Sequence, residues 1–182
     1  MKRSPVPNTD LEQRIARLEA RAEIEDLGAA YAVAVDDHDI ETLVNLFTEN
    51  GTFDRSGQVS HGRNEIRAFY VQSMERYALT LHTPQSSQII INGDHAKGLL
   101  TGQAELALDG TLMMAAYRYA DSYTRTGNRW RFERRRLRFM YAVPFAEMEA
   151  GLTTTSRIRW PGAPPQDAQY PETESTWKNF RQ

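Results

Sequence analysis

The chain has 182 residues, 40% of them apolar and 25% charged, with 22 Lys and Arg against 24 Asp and Glu. This is the make-up of one ordinary soluble domain rather than a disordered chain, and its net charge of −2 gives no overall pull towards nucleic acid or anionic lipid. Cysteine is absent, which excludes disulfides, thiolate metal sites and cysteine nucleophiles. No apolar run approaches the roughly 18 residues needed to span a bilayer, and MKRSPVPNTD has no apolar stretch behind its two positive charges, so no membrane partner and a cytoplasmic location are expected.

Residues 1–9, with two prolines, read as a loose lead-in, after which Leu11, Ile15 and Leu18 recur at helical spacing. Ile24, Leu27, Tyr31 and Val35 form a second helical stripe, with Ala30 and Ala34 beside them. Asp39 is placed to cap a third helix holding Ile40, Leu43, Val44 and Phe47, with Asp37–His38 as the turn before it. GTFD (51–54) predicts a short strand, and the stretch from Gly62 to Tyr77, with Ile66, Phe69 and Tyr70, predicts another helix. From residue 79 the pattern changes to long strands separated by NGD, by Asp109–Gly110 and by TGN, all strong turn signals. Helices first and hairpin-linked strands afterwards predict an α+β fold, with helices on one face of a curved antiparallel sheet. Residues 151–182, rich in proline, read as an extended tail lying over this domain or a neighbouring subunit. The chain is thus divided into a lead-in helix (1–19), a domain (20–150) and a C-terminal tail (151–182).

Histidine is the side chain suited to proton exchange near neutral pH. His38 in an aspartate-rich turn, His61 in a polar loop and His95 after NGD read as surface residues. His82 lies within a strand, its side chain opposite those of Leu81 and Thr83, either as a core histidine bonded to backbone or as a base. A buried imidazole base needs a carboxylate to hold its tautomer. Asp36 ends an apolar helical run, where a carboxylate opposes the helix dipole; it is either a turn residue before the Asp39 cap or such an inward partner. Tyr31 is core packing or a hydroxyl donor to a substrate. Arg129, Arg131, Arg134, Arg135, Arg136 and Arg138 are interleaved with Trp130, Phe132 and Phe139; alternation makes some of them a solvated strand face paired with acids, and the run does not read as a nucleic-acid site. Asp36, Asp37, His38 and Asp39 are too closely adjacent to converge on one metal ion, and none is expected.

The stretch RAEIEDLGAAYAVAVDDHDIETLVNLFTENGTFD, followed by HGRNEIRAFY and by LTLHTPQSSQIIINGDHAKG, resembles the SnoaL-like branch of the NTF2-like superfamily over about residues 20 to 145. The resemblance implies a cone-shaped α+β barrel with a curved mixed, mostly antiparallel sheet. The motif is most similar to three cofactor-free lyases: bile-acid 7α-dehydratase, scytalone dehydratase and hexachlorocyclohexane dehydrochlorinase. The tyrosine, aspartate and histidine of the bile-acid enzyme fall on Tyr31, Asp36 and His82, and the Asp–His dyad of the dehydrochlorinase falls on the same Asp36 and His82. The resemblance therefore implies β-elimination without a cofactor, on a small hydrophobic or aromatic substrate, with Asp36 and His82 as the general-base dyad. Phe53, Glu105, Tyr117, Tyr119, Phe139 and Tyr141 are candidates to line the pocket. Glu105 is the polar group offered where scytalone dehydratase has a second histidine. A homodimer or homotrimer is expected from the same resemblance. The same dyad also suits dehydrohalogenation, isomerisation, cyclisation or carbon–carbon cleavage, and the superfamily includes binding modules without chemistry.

Overall fold

The structure, a computed structural model, describes residues 8–180. Residues 1–7 of the expected lead-in lie outside the described residues. The two helical stripes expected up to Val35 belong to a single helix, α1 (Asn8–Asp36), with no break near residue 19. Its second half buries Ile24, Leu27, Tyr31 and Val35 at the expected spacing, whereas Leu11, Ile15 and Leu18 in the first half are exposed.

The end of α1 is set by His38, which takes the left-handed conformation (φ 56°). Asp39 N then donates to Ala34 O and His38 N to Val35 O, the pair of bonds that closes a helix C-terminus. Asp39 caps α2 (Ile40–Asn45), its carboxylate accepting from Thr42 N at 2.9 Å. Phe47, expected in that helix, instead opens β1 (Phe47–Arg55). A tight turn at Ser56–Gly57, both at positive φ, leads into the short strand β2 (Gln58–His61), where a loop was expected. Then comes α3 (Gly62–Met74); Tyr77, expected in this helix, begins a strand.

Four long strands follow: β3 (Tyr77–Asn92), β4 (His95–Leu108), β5 (Thr111–Thr126) and β6 (Arg129–Pro144). The sheet order is β2-β1-β6-β5-β4-β3, and only the β1–β6 pairing is parallel. α1 packs against β3 and α3 against β1, so the two helices close one face of the curved sheet, as the α+β reading expects.

Two bulges in β6 decide what enters the core. Opposite β5, Ser122 pairs with Arg134 and Tyr123 with Phe132, which leaves Glu133 as an extra residue; Met140 is extra in the same way between Phe139 and Tyr141. Each extra residue reverses the alternation of the strand beyond it.

The tail is docked on its own domain. Ile158 bridges to Ala142 and to Gln166, and Tyr170 is buried beneath the Arg118 guanidinium, 4.4 Å from its ring centre. Arg157 pairs with Glu172 and Arg138 with Glu174, each at 2.8 Å. Two short helices, α4 (Met148–Leu152) and α5 (Ser175–Phe180), flank this segment. No helix among the described residues is long and apolar enough to cross a membrane.

Candidate active site

Asp36 and His82 meet because the last turn of α1 lies against β3. His82 Nδ1 stands 2.6 Å from Asp36 Oδ1, and the His82 backbone N–H donates to Asp36 Oδ2 at 2.8 Å. Both side chains are largely covered, at 13% and 17% exposure. Burial alone would raise the Asp36 carboxyl, but the hydrogen bonds from the His82 ring and backbone outweigh it and hold the group below its ordinary value. The same hydrogen bonds offset the unfavourable place of the carboxylate at the negative end of α1. Thr80 Oγ1 is buried beside the same carboxylate, short of hydrogen-bond geometry, and lowers it slightly further.

An ionised Asp36 is an acceptor only, so Nδ1 carries the ring proton and Nε2 of the neutral ring holds a free lone pair. His82 lines a cavity of about 130 Å³ between the sheet and the two long helices. Of the expected lining residues, Phe53, Tyr117, Tyr119 and Phe139 are on its wall, and so is Tyr31. The tyrosine ring beside the imidazole is Tyr117, with centres 5.9 Å apart. Tyr119 follows at 5.0 Å from Tyr117, and Tyr31 at 5.6 Å from Tyr119. Tyr31 is therefore two rings further from His82 than Tyr117, and its hydroxyl bonds to that of Tyr70. Burial pushes the Tyr117 phenol up to about 12 and the phenols of Tyr31, Tyr70 and Tyr119 well above their ordinary value, so all four keep their protons as donors.

Two expected lining residues face the other way. Glu105 is exposed: its neighbour Ala104 pairs with His82 and points inwards, so alternation sends Glu105 to the outer face with its partner Leu81. Tyr141 would share the inner face with Phe139 in a regular strand, but the extra residue Met140 turns it outwards, opposite Ala116 in the row that holds Gln103. His38, His61 and His95 are exposed, as expected. Among the described residues no three His, Asp or Glu side chains converge as a metal site.

Several site residues escaped sequence reasoning. Tyr70 and Met74 of α3, Thr80, and Trp160 of the tail all reach the cavity, as does Arg55 at the end of β1. Part of the arginine run is expected to form a solvated, acid-paired strand face. That holds for Arg134 and Arg136, which share Asp54, and for Arg138. Arg135 differs, being fully buried in a two-pronged pair with Asp121, at 3.1 Å through Nε and 3.0 Å through Nη2. Burial opposes its charge, but the Asp121 carboxylate and the nearby tyrosines outweigh it and raise its pKa. Its guanidinium lies 3.8 Å from the Tyr119 ring centre and 4.1 Å from that of Tyr31, so it underpins the tyrosine wall. Counting back by twos from the apolar Leu137 and Phe139 would have placed Arg135 inwards.

Two helices closed over a curved sheet, with a mostly apolar cavity walled in part by His82 and with Asp36 behind its imidazole, define a cone-shaped α+β protein built around a small-molecule site. The sequence matches the SnoaL-like domain over residues 16–136, and the chain belongs to that family, within the NTF2-like superfamily. Among solved structures it resembles hexachlorocyclohexane dehydrochlorinase LinA-type3 from Novosphingobium barchaimii, with TM-score 0.69 and 20% identity over 73% of this chain and 94% of that one. A protein assigned as a scytalone dehydratase from Novosphingobium aromaticivorans superposes with TM-score 0.66 and 19% identity, over 71% and 89% of the two chains. An NTF2-like protein with a cystatin-like fold from the same organism superposes with TM-score 0.61 and 26% identity, over 74% and 90%. No curated protein matches the sequence.

Proposed function

We propose that this protein is a cofactor-independent lyase that removes water by β-elimination from a small apolar, ring-containing substrate such as a steroid, terpenoid or aromatic. The observation that carries the reading is the 2.6 Å contact of Asp36 with Nδ1 of His82, whose ring lies on the wall of the cavity. Nε2 of His82 takes a proton from the carbon next to an activating group. The released electron pair forms the alkene, and the bond from carbon to the leaving oxygen breaks. That oxygen departs as water, taking its second proton from the imidazolium, which restores the neutral ring. Asp36 stabilises the transient imidazolium and fixes its orientation. Tyr117, next to the imidazole, donates a hydrogen bond to the leaving oxygen or to a carbonyl; Tyr31, first expected in that role, shapes the deep wall with Tyr70. A homodimer or homotrimer belongs to the same reading, supported by exposed Leu79, Leu81 and Leu112 on the outer face of the sheet.

The test is turnover of ring-containing β-hydroxy ketones, followed by the ultraviolet absorbance of the new conjugated alkene. Asp36→Ala and His82→Gln are expected to lower the rate by about 10²- to 10⁴-fold, the usual worth of a general base, with unfolding midpoints still measurable. Full activity in either variant would sink the dyad. Dehydrohalogenation, isomerisation, cyclisation or carbon–carbon cleavage on the same pair would appear as a different product. Ligand binding without any product, unchanged in Asp36→Asn, would instead identify a binding module.

A further inference from the structure

The cavity wall holds the imidazole of His82 and the guanidinium groups of Arg55 and Arg76, but no carboxylate. Arg76 is neutralised from outside by Asp109, at 2.5 Å. Arg55 has no such partner: Asp54, the acid beside it in the strand, faces the other way and serves Arg134 and Arg136, and Arg55 enters no ion pair among the described residues. What holds Arg55 is aromatic. Its guanidinium carbon lies 5.0 Å from the Trp160 ring centre and 5.7 Å from that of Phe139, and the two rings meet edge-on at 5.3 Å. Trp160 lies beyond the family match, which ends at residue 136, so this part of the wall is supplied by the chain's own C-terminal segment.

A half-buried guanidinium without a counter-ion has lost much of its hydration and has gained only ring contacts in return. Stacking covers the faces of the group and leaves its edge N–H donors available, in the fork geometry that suits a carboxylate. We infer that the substrate of this cavity carries a carboxylate, received by Arg55 on its Trp160–Phe139 seat, while its ring system occupies the apolar space towards His82. One uncompensated cation calls for a monoanion. The inference rests on the cavity being the substrate site proposed above and narrows its substrates to ring acids.

The test uses the full chain with 2-naphthoate and its neutral isostere 2-naphthamide as probes, titrated by calorimetry at low ionic strength. The carboxylate is expected to bind about tenfold more tightly than the amide, and Arg55→Met is expected to remove most of that preference, a difference calorimetry resolves readily. Equal affinity in the wild type, no binding of either probe, or a full preference retained in Arg55→Met overturns the inference. Where Arg55→Met fails to fold, Arg55→Lys decides. It keeps the charge without the fork, so a preference at least about threefold smaller than in the wild type supports the two-pronged contact, and an unchanged preference overturns it. Asp36→Asn is expected to keep the carboxylate preference. A wild type that carries out elimination but binds both probes equally therefore counts against the Arg55 inference alone, and a wild type that prefers the carboxylate but carries out no elimination counts against the lyase reading alone.

Discussion

At the scale of single residues, the charge on Asp36 governs both the tautomer of His82 and part of the stability of the fold. Its carboxyl sits below its ordinary value of 3.8 in the folded chain, so the folded state binds this proton less readily than the unfolded state does. The stabilisation is therefore fully present above the ordinary carboxyl range and is lost as pH falls through the depressed folded value. Urea unfolding of wild type and Asp36→Asn should show a stability gap at pH 7 that narrows markedly by pH 3; a gap independent of pH would count against an ionised, bonded Asp36. Arg135 carries a different cost. With both members of its pair buried, Arg135→Met leaves Asp121 as an uncompensated charge and is expected to cost about 3–5 kcal/mol in chemical denaturation. Replacing Asp121 by Leu in the same chain should recover part of that loss, because the orphaned charge, rather than the missing contact, is the larger penalty.

At the scale of elements, the cavity depends on how β4 and β5 are matched. Gly102 pairs with Tyr117, and a Cβ at residue 102 would stand 2.5 Å from the Tyr117 hydroxyl oxygen and 2.6 Å from Cζ. The ring cannot move freely, because it packs against His82 on one side and Tyr119 on the other. Gly102→Ala should therefore cost about 1–3 kcal/mol by overpacking and weaken binding in the cavity, as read by thermal unfolding and by probe titration. An unchanged binding constant would show that Tyr117 does not shape the occupied space. The bulges at Glu133 and Met140 have consequences of the same kind: they admit Arg135 to the interior and remove Tyr141 from it, and neither is announced by a glycine or proline.

At the scale of the whole molecule, one patch of the outer sheet face is left bare. Leu79 pairs with Ala107 and Ala107 with Leu112, and Leu81 lies one row on, so the exposed leucines form a continuous apolar surface. Light scattering coupled to size-exclusion chromatography should report a dimer or trimer, and Leu79→Glu with Leu112→Glu should lower the mass to that of one chain. A wild-type monomer would refute the proposal of assembly, and an unchanged assembly in the double variant would refute this face as its interface. The docked tail belongs to the same scale, because it brings Trp160 to the cavity from a segment with no core of its own.

By itself the sequence determined the order of the main helices and of the four long strands. Helical spacing, the Asp39 cap and the Asp109–Gly110 turn are local signals, each complete within a few residues, and the helix-then-hairpin order they define leaves few α+β arrangements. The pairing of Asp36 with His82 was reachable only through resemblance, since on local grounds Asp36 reads more readily as a turn residue. Tertiary structure alone decided which of two strand faces each side chain takes, and which distant groups share the cavity. A single extra residue reverses a strand's alternation, and a guanidinium's surroundings depend on rings about a hundred residues away in the chain. For that reason Glu105 and Tyr141 lie outside the cavity they were expected to line, the burial of Arg135 is not apparent from its charged neighbours, and Arg55 and Trp160 carry no local sign of their place at the cavity.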